Sequence, residues 1–150
     1  MIHALKIPVF VAVLFLLLGT KADRHEYNDR PVAQTFTNPL LTSGPDPWVL
    51  QKDGWYYVTH TTGKNLRLYR TMRMSDLQNA EVKTVWTPPA SGMNSKQIWA
   101  PEIHFLDGNW YFYYAADDGR NENHRMWVLE SECSDPQGNY RCRGVLNTEG

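Results

Sequence analysis

The chain has 150 residues, with 15 basic and 16 acidic side chains and a formal net charge of −1 at pH 7. Without a block of basic residues, this balance gives no electrostatic basis for binding nucleic acid. The length fits one ordinary domain, and the many aromatic residues suit a β-rich core or a surface that stacks on sugar rings.

The N-terminal segment predicts a signal peptide. An apolar run over residues 7–18 follows the lysine of MIHALK and is shorter than the roughly 20 residues that a membrane-spanning helix needs. Thr20 and Ala22 suit the small-residue positions of a secretory cleavage site. The sequence therefore predicts a signal peptide over 1–22 and a secreted, extracellular product that is not held in a membrane after cleavage. A short membrane anchor is the alternative.

The mature chain begins with an aperiodic segment and continues as short strands. Residues 23–37 predict an extended lead-in. Asp53-Gly54, between apolar runs, predicts a hairpin turn. A loop or one helical turn is expected over 75–80. The strands that alternation and β-propensity predict in this first unit are 48–52, 55–61, 66–74 and 81–86.

A second unit repeats this plan. Asp107-Gly108-Asn109 predicts a turn, and the polar residues 117–124 predict a loop. The strands expected in this unit are 102–106, 110–116, 125–132 and 140–146.

Two cysteines flank a turn-forming stretch of the second unit. Cys133 and Cys142 stand on either side of SDPQGNYR, whose Asp-Pro and Gly-Asn pairs favour turns. In an oxidising compartment two such cysteines are expected to form a disulfide, with two free thiols as the alternative. A tetrahedral zinc site is not indicated, because two thiols stand without an accompanying histidine pair.

The two units can be aligned with an offset of about 55 residues. The alignment places Pro45-Asp46 over Pro101-Glu102, and Asp53-Gly54 over Asp107-Gly108. It also places Trp55-Tyr56-Tyr57 over Trp110-Tyr111-Phe112. A repeat of this length with four strands predicts an all-β fold built from β-propeller blades.

The repeat gives Asp46 and Glu102 a physical meaning. The first strand of each propeller blade lines the central axis, so equivalent positions in successive blades face one shared cavity. Asp46 also stands between Pro45 and Pro47, which restrict the backbone and lack N–H donors. The alternative is that each acid only caps a turn at the start of a strand.

The stretches GPDPWV, YYVTHTTG and IWAPEIHFLDGNWYFYYAA together resemble glycoside hydrolase family 43, and most of all its α-L-arabinofuranosidase-type members. The resemblance covers about residues 38–145. It implies a five-bladed β-propeller, of which residues 38–150 form the first two blades. It also implies inverting cleavage of arabinan- or arabinoxylan-type plant polysaccharides.

The resemblance implies a role for several residues. In this family an Asp of the first blade is the general base, and a Glu of the fourth blade protonates the leaving oxygen. An Asp of the third blade orients that acid. Inversion requires the base and the acid to stand about 6.5–9.5 Å apart, which leaves room for the attacking water. Asp46 matches the base. Glu102, Trp99 and His60 are expected to contact substrate. No cofactor is expected, and the sequence shows no ligand set for the axial ion that some members hold.

Since the motifs of the third and fourth blades are absent, the sequence predicts a truncated chain that is inactive alone. A non-catalytic carbohydrate-binding propeller fragment is the alternative. A propeller enzyme of the fructan- and sucrose-cleaving type is disfavoured, because its DPNG-like and ECPD-like motifs are replaced here by GPDPWV and WAPEIH.

Overall fold

The computed structural model describes residues 35–147. The predicted signal peptide and most of the predicted lead-in lie outside the described residues. The first of two four-stranded sheets contains β1 (Trp48–Lys52), β2 (Trp55–Thr59), β3 (Leu66–Thr71) and β4 (Glu81–Trp86). The second contains β5 (Lys96–Leu106), β6 (Asn109–Asp117), β7 (Arg125–Ser131) and β8 (Tyr140–Val145).

Within each sheet, every strand pairs antiparallel with the strand that follows it along the chain, so each sheet is a simple meander. This is the architecture of a propeller blade, and it confirms the predicted all-β fold of two blades. Short 3₁₀ helices occupy Met74–Asn79 and Asn121–Asn123. The first begins one residue before the predicted connection 75–80, because β3 ends at Thr71 and not at Met74 as predicted, and the second lies inside the predicted loop 117–124. None of the helices within residues 35–147 has the length and apolar character needed to cross a membrane.

The first hairpin of each blade closes through an Asp-Gly pair, as predicted. Asp53 and Gly54 have φ angles of 51° and 80°, and Asp107 and Gly108 have φ angles of 49° and 87°. Positive φ at both central residues is the mark of the type I′ turn, whose twist matches that of the strands it joins. Gly accommodates the second position without steric strain.

The register of the second blade differs from the predicted alignment. Trp48 and Glu102 hold the same position relative to their hairpin turns, as their pairing with the following strand shows. Ala100 is therefore the counterpart of Asp46, and the predicted equivalence of Asp46 with Glu102 is wrong by two residues. The prediction matched one Pro-acid pair to another, although six residues separate Asp46 from Asp53 and only four separate Glu102 from Asp107.

The hydrophobic core lies between the two sheets. Along β6 the residues Trp110, Phe112, Tyr114 and Ala116 are buried, while the residues between them are half-buried, so β6 turns one face to the core. Aromatic rings join the blades, with centroids 5.1 Å apart for Tyr57 and Trp110 and 5.0 Å apart for Trp86 and Tyr114.

A hydrogen bond also crosses between the first strands of the blades. Trp48 Nε1 donates to the carbonyl oxygen of Ile103 at 2.9 Å. This bond and the shared core hold the start of β1 against the C-terminal half of β5.

Candidate active site

The backbone of Asp46 is strained. Its φ angle is 49°, in the left-handed region, although the following Pro47 disfavours helical conformations at this position. Ala100, the counterpart of Asp46, has a φ angle of 43° and also precedes a proline, Pro101. A non-glycine residue held in this way costs about 1–3 kcal/mol and persists only where surrounding contacts fix it.

Thr61, which follows β2, supplies those contacts for Asp46. The Thr61 hydroxyl donates to Asp46 Oδ2 at 2.7 Å, and its backbone N–H donates to the carbonyl oxygen of Pro45 at 2.9 Å. The backbone N–H of Ala100 donates to Thr61 Oγ1 at 2.6 Å. Nearby, Gly63 N–H donates to the carbonyl oxygen of Ile98 at 3.2 Å. The segment after β2 therefore ties the strained starts of both blades together.

The two acids predicted at the blade starts face one small cavity of about 150 Å³. Each blade contributes a run of consecutive residues to it, and the lining consists of Asp46, Pro47, Trp48, Ala100, Pro101 and Glu102. Asp46 is exposed to solvent at this cavity and Glu102 is half-buried. The arrangement presents two carboxylates to any molecule that enters.

Glu102 is oriented by a neighbour on its own strand. His104 Nε2 lies 3.1 Å from Glu102 Oε2. The His104 ring packs against Trp48, with centroids 5.0 Å apart, and against Tyr113, with centroids 5.3 Å apart. One carboxylate oxygen of Glu102 is thus held by His104, which is itself fixed between rings of both blades.

Comparison with known proteins identifies the family. The sequence model of "Glycosyl hydrolases family 43" matches residues 36–150, which is more than half of the chain. The chain belongs to glycosyl hydrolase family 43. The resemblance read from the motifs is therefore confirmed.

Family 43 members similar to this chain include named arabinofuranosidases. An "Extracellular exo-alpha-(1->5)-L-arabinofuranosidase" of Streptomyces avermitilis is 39% identical over 145 residues, which are 93% of this chain and 30% of that protein. "Alpha-L-arabinofuranosidase 43" of Humicola insolens is 34% identical over 77% of this chain and 25% of that protein. The crystal structure of an α-L-arabinofuranosidase from Lactobacillus brevis superimposes with a TM-score of 0.69 at 30% identity, over 76% of this chain and 39% of that one. The family 43 chain described here thus spans less than two fifths of each of these relatives.

Trp99 lies beside the cavity of this family 43 chain without lining it. The ring stacks on that of His124, with centroids 4.6 Å apart and an interplanar angle of 31°, and the residue is 38% exposed. His124 Nδ1 is 2.8 Å from Oδ2 of the fully buried Asp117. Asp117 and His124 therefore brace one side of Trp99, and the exposed part of its ring remains accessible to a ligand.

His60 lies elsewhere. The residue is buried, with Nδ1 2.9 Å from the carbonyl oxygen of Thr61 and Nε2 3.4 Å from the hydroxyl of Tyr69. It lines a separate, largely apolar groove with Leu40 and Met74 rather than the cavity of the carboxylates. The substrate contact predicted for His60 stays a prediction, and both of its ring nitrogens already have protein partners.

The two cysteines are free thiols in the structure. Cys142 Sγ lies 3.7 Å from Asn94 Nδ2, and Cys133 Sγ lies 3.7 Å from the carbonyl oxygen of Asp135. The disulfide between them stays a prediction for the secreted protein.

Within residues 35–147, no group of three or more His, Cys, Asp or Glu side chains is placed to hold a metal ion. The absence of a cofactor stays a prediction.

Three residues of this region were not singled out from the sequence, namely Thr61, Asp117 and His124. Thr61 was predicted only as the last residue of the strand over 55–61, and nothing in that pattern indicates a contact with Asp46. Asp117 and His124 stand at the two ends of the polar loop 117–124. An Asp and a His at the two ends of a loop are too common in sequences to predict a contact. Their role beside Trp99 is evident only from the structure.

Proposed function

We propose that this chain is part of a secreted, inverting α-L-arabinofuranosidase that acts on arabinose-containing plant polysaccharides, and that it contains the general base of that enzyme. The observation that carries the proposal is the placement of Asp46, a strained and exposed carboxylate that Thr61 holds at a cavity shared with Glu102. Membership of family 43 and the names of the similar proteins support the substrate class, and the word "Extracellular" in one of those names supports secretion.

The chemistry follows from the position of the carboxylate. A general base must be ionised, exposed to the attacking water and fixed in direction. Asp46 is exposed, and its direction is fixed by Thr61. In the proposed step Asp46 accepts a proton from water while the water oxygen bonds to the anomeric carbon. The glycosidic C–O bond breaks, and the leaving oxygen takes a proton from a carboxylic acid on the far side of the bond.

We assign Glu102 and Trp99 to substrate binding rather than to proton transfer. Glu102 faces the cavity beside Asp46, and one of its oxygens is held by His104, so the other can accept a hydrogen bond from a sugar hydroxyl. Trp99 offers an exposed aromatic surface one residue from the cavity wall. The acid that protonates the leaving group, and the aspartate that orients it, are proposed to come from further blades of the complete enzyme, so residues 35–147 alone are not expected to catalyse hydrolysis.

The test is hydrolysis and its stereochemistry. The complete protein that contains this sequence is incubated with p-nitrophenyl α-L-arabinofuranoside and with α-1,5-linked arabino-oligosaccharides, and the first sugar released is followed by proton NMR. The proposal predicts that β-L-arabinose forms first and then mutarotates. Release of the α anomer first would contradict inversion. Binding of the oligosaccharides without hydrolysis would instead support a non-catalytic carbohydrate-binding protein.

A further inference from the structure

Thr61 connects the carboxylate of the first blade to the backbone of the second. Its oxygen lies 2.7 Å from Asp46 Oδ2 and 2.6 Å from the backbone nitrogen of Ala100. The first distance is ordinary for a hydroxyl-to-carboxylate hydrogen bond, and the second is short for a bond that a backbone N–H donates. The two bonds form a continuous path from β5 through Thr61 to Asp46.

The direction of each bond is fixed by chemistry. The Ala100 amide can only donate, so the Thr61 oxygen accepts its proton. The single hydroxyl proton of Thr61 is then directed at Asp46 Oδ2, which as a carboxylate oxygen can only accept. Linked bonds of this kind polarise one another, so the amide strengthens the bond that Thr61 donates.

We propose that Thr61 is a positioning residue for the base and that it assigns the two oxygens of Asp46 different tasks. The inference rests on the function proposed for Asp46. Oδ2 is the oxygen held by Thr61, whereas no side chain or backbone N–H within residues 35–147 is seen to donate to Oδ1. Oδ1 is therefore the oxygen that receives the proton of the attacking water, as the water oxygen bonds to the anomeric carbon and the leaving oxygen takes a proton from the acid.

The proposal also explains why the site spans two blades. Asp46 is exposed and has a φ angle of 49°, so its own backbone does not favour the observed conformation. The Thr61 backbone N–H holds the carbonyl of Pro45 at 2.9 Å, and its side chain holds the carboxylate. Because Thr61 is itself held by the Ala100 amide, the direction of the base depends on the packing of the second blade against the first.

The adjacent Thr62 provides a matched control. The Thr62 hydroxyl donates to the carbonyl oxygen of Asn65 at 2.6 Å and accepts from the backbone N–H of Asn65 at 3.0 Å. These bonds close a local turn and do not reach Asp46. Thr61→Val and Thr62→Val therefore remove the same hydroxyl group from neighbouring residues with different partners, and Thr61→Ser restores it.

The experiment measures kcat and KM of the complete protein on p-nitrophenyl α-L-arabinofuranoside. Thr61→Val is expected to lower kcat by about 10- to 100-fold with KM nearly unchanged, because a charge-assisted hydrogen bond that orients the base is lost. Thr61→Ser and Thr62→Val are expected to keep kcat within a few-fold of the unchanged protein, although Thr62→Val lowers the melting temperature. An equal loss of kcat in both valine variants would overturn the proposal.

A double substitution separates the positioning role from the role of Asp46. In an Asp46→Ala background, Thr61→Val is expected to cause no further loss of kcat, because the group it positions is gone. Losses that multiply would overturn the positioning role. Full activity of Asp46→Ala would overturn the proposed function of Asp46, whereas an inactive Asp46→Ala together with an active Thr61→Val would overturn only the role of Thr61.

Hydrogen exchange of the Ala100 amide gives a readout that does not need activity. Thr61→Val removes the acceptor of this amide, so its exchange is expected to accelerate on the order of 10-fold or more, while Thr62→Val leaves it unchanged. Unchanged exchange in Thr61→Val would show that the path from Ala100 to Asp46 does not exist in solution, and this would overturn the proposal.

Discussion

At the scale of single residues, Asp46 is held by more than the two prolines beside it. The sequence indicated a fixed carboxylate from the pattern GPDPWV. The structure adds a left-handed backbone and a hydrogen bond from Thr61, fifteen residues later in the chain. A motif can reveal which carboxylate matters, because its neighbours in the sequence are unusual. It cannot reveal what holds that carboxylate when the partners are distant in sequence, as they also are for Trp99 and His124.

Removal of the Trp99 ring is expected to weaken substrate binding. Trp99→Ala is expected to raise KM for arabino-oligosaccharides about 10-fold and to leave kcat within a few-fold, because a stacked aromatic surface contributes about 1–2 kcal/mol of contact with a sugar face. Trp99→Phe, which keeps a ring, is the matched variant and is expected to show a smaller rise. Steady-state kinetics on the complete protein checks this, and an unchanged KM in Trp99→Ala would remove Trp99 from the binding surface.

At the scale of elements, the sequence predicted the strands well where their pattern is regular. The bounds of β1 and β4 agree with the prediction, since each follows or precedes a clear turn and has the expected composition. β5 was predicted to begin at Glu102 and begins at Lys96. Its first half contains Pro101 and positive φ angles at Gln97 and Ala100, so the alternation on which strand prediction depends is broken there.

The loop between β7 and β8 contacts the first blade, most closely through Gln137. Gln137 is buried, and its Nε2 donates to the carbonyl oxygens of Leu68 at 2.9 Å and Glu81 at 3.2 Å. Gln137→Leu keeps similar volume but leaves both carbonyl oxygens without this partner. The free energy of unfolding is expected to fall by about 1–3 kcal/mol.

Urea unfolding checks the role of Gln137. Gln51→Leu, on the exposed side of β1, is the control and is expected to change the free energy of unfolding by less than about 0.5 kcal/mol. Equal effects of the two substitutions would mean that Gln137 does not stabilise the contact between the blades.

At the scale of the whole molecule, two blades share an aromatic core and keep apolar side chains on their outer surfaces. Val49 and Val82 are exposed on the face of the first sheet that points away from the core, and Met126 is exposed on the corresponding face of the second. Exposed apolar residues on the outer face of a sheet are suited to packing against another element. The chain also covers only part of its relatives, so we expect these faces to pack against further blades of the complete protein.

The shared core also predicts the response to high pH. Burial raises the pKa of Tyr114 above its ordinary value of 10.0, although the hydrogen bond from Asn94 opposes the shift. Burial likewise raises the pKa of Tyr140. Above pH 10 each hydroxyl therefore stays protonated in the folded chain but ionises once the chain unfolds. The free energy of unfolding is consequently fully present below pH 10 and decreases as the pH rises above it.

Unfolding in urea between pH 8 and pH 11.5 measures this loss. Above about pH 10, each of these tyrosines is expected to reduce the free energy of unfolding by roughly 1.4 kcal/mol per pH unit. Tyr114→Phe and Tyr140→Phe should therefore each show a shallower decline than the unchanged protein, whatever their stability at pH 8. Parallel curves would contradict the burial-driven shift.

The most direct test of the account compares two aspartates in the complete protein. Asp46 and Asp53 stand on either side of β1 with nearly equal φ angles of 49° and 51°, but Asp53 belongs to the hairpin turn, away from the cavity. Asp46→Asn is expected to lower kcat on p-nitrophenyl α-L-arabinofuranoside by about 10²- to 10⁴-fold, because the amide cannot accept the proton of water. Asp53→Asn, which preserves the turn, is expected to keep kcat nearly unchanged. An Asp46→Asn variant that is folded and retains the original kcat would contradict the assignment of Asp46 as the general base.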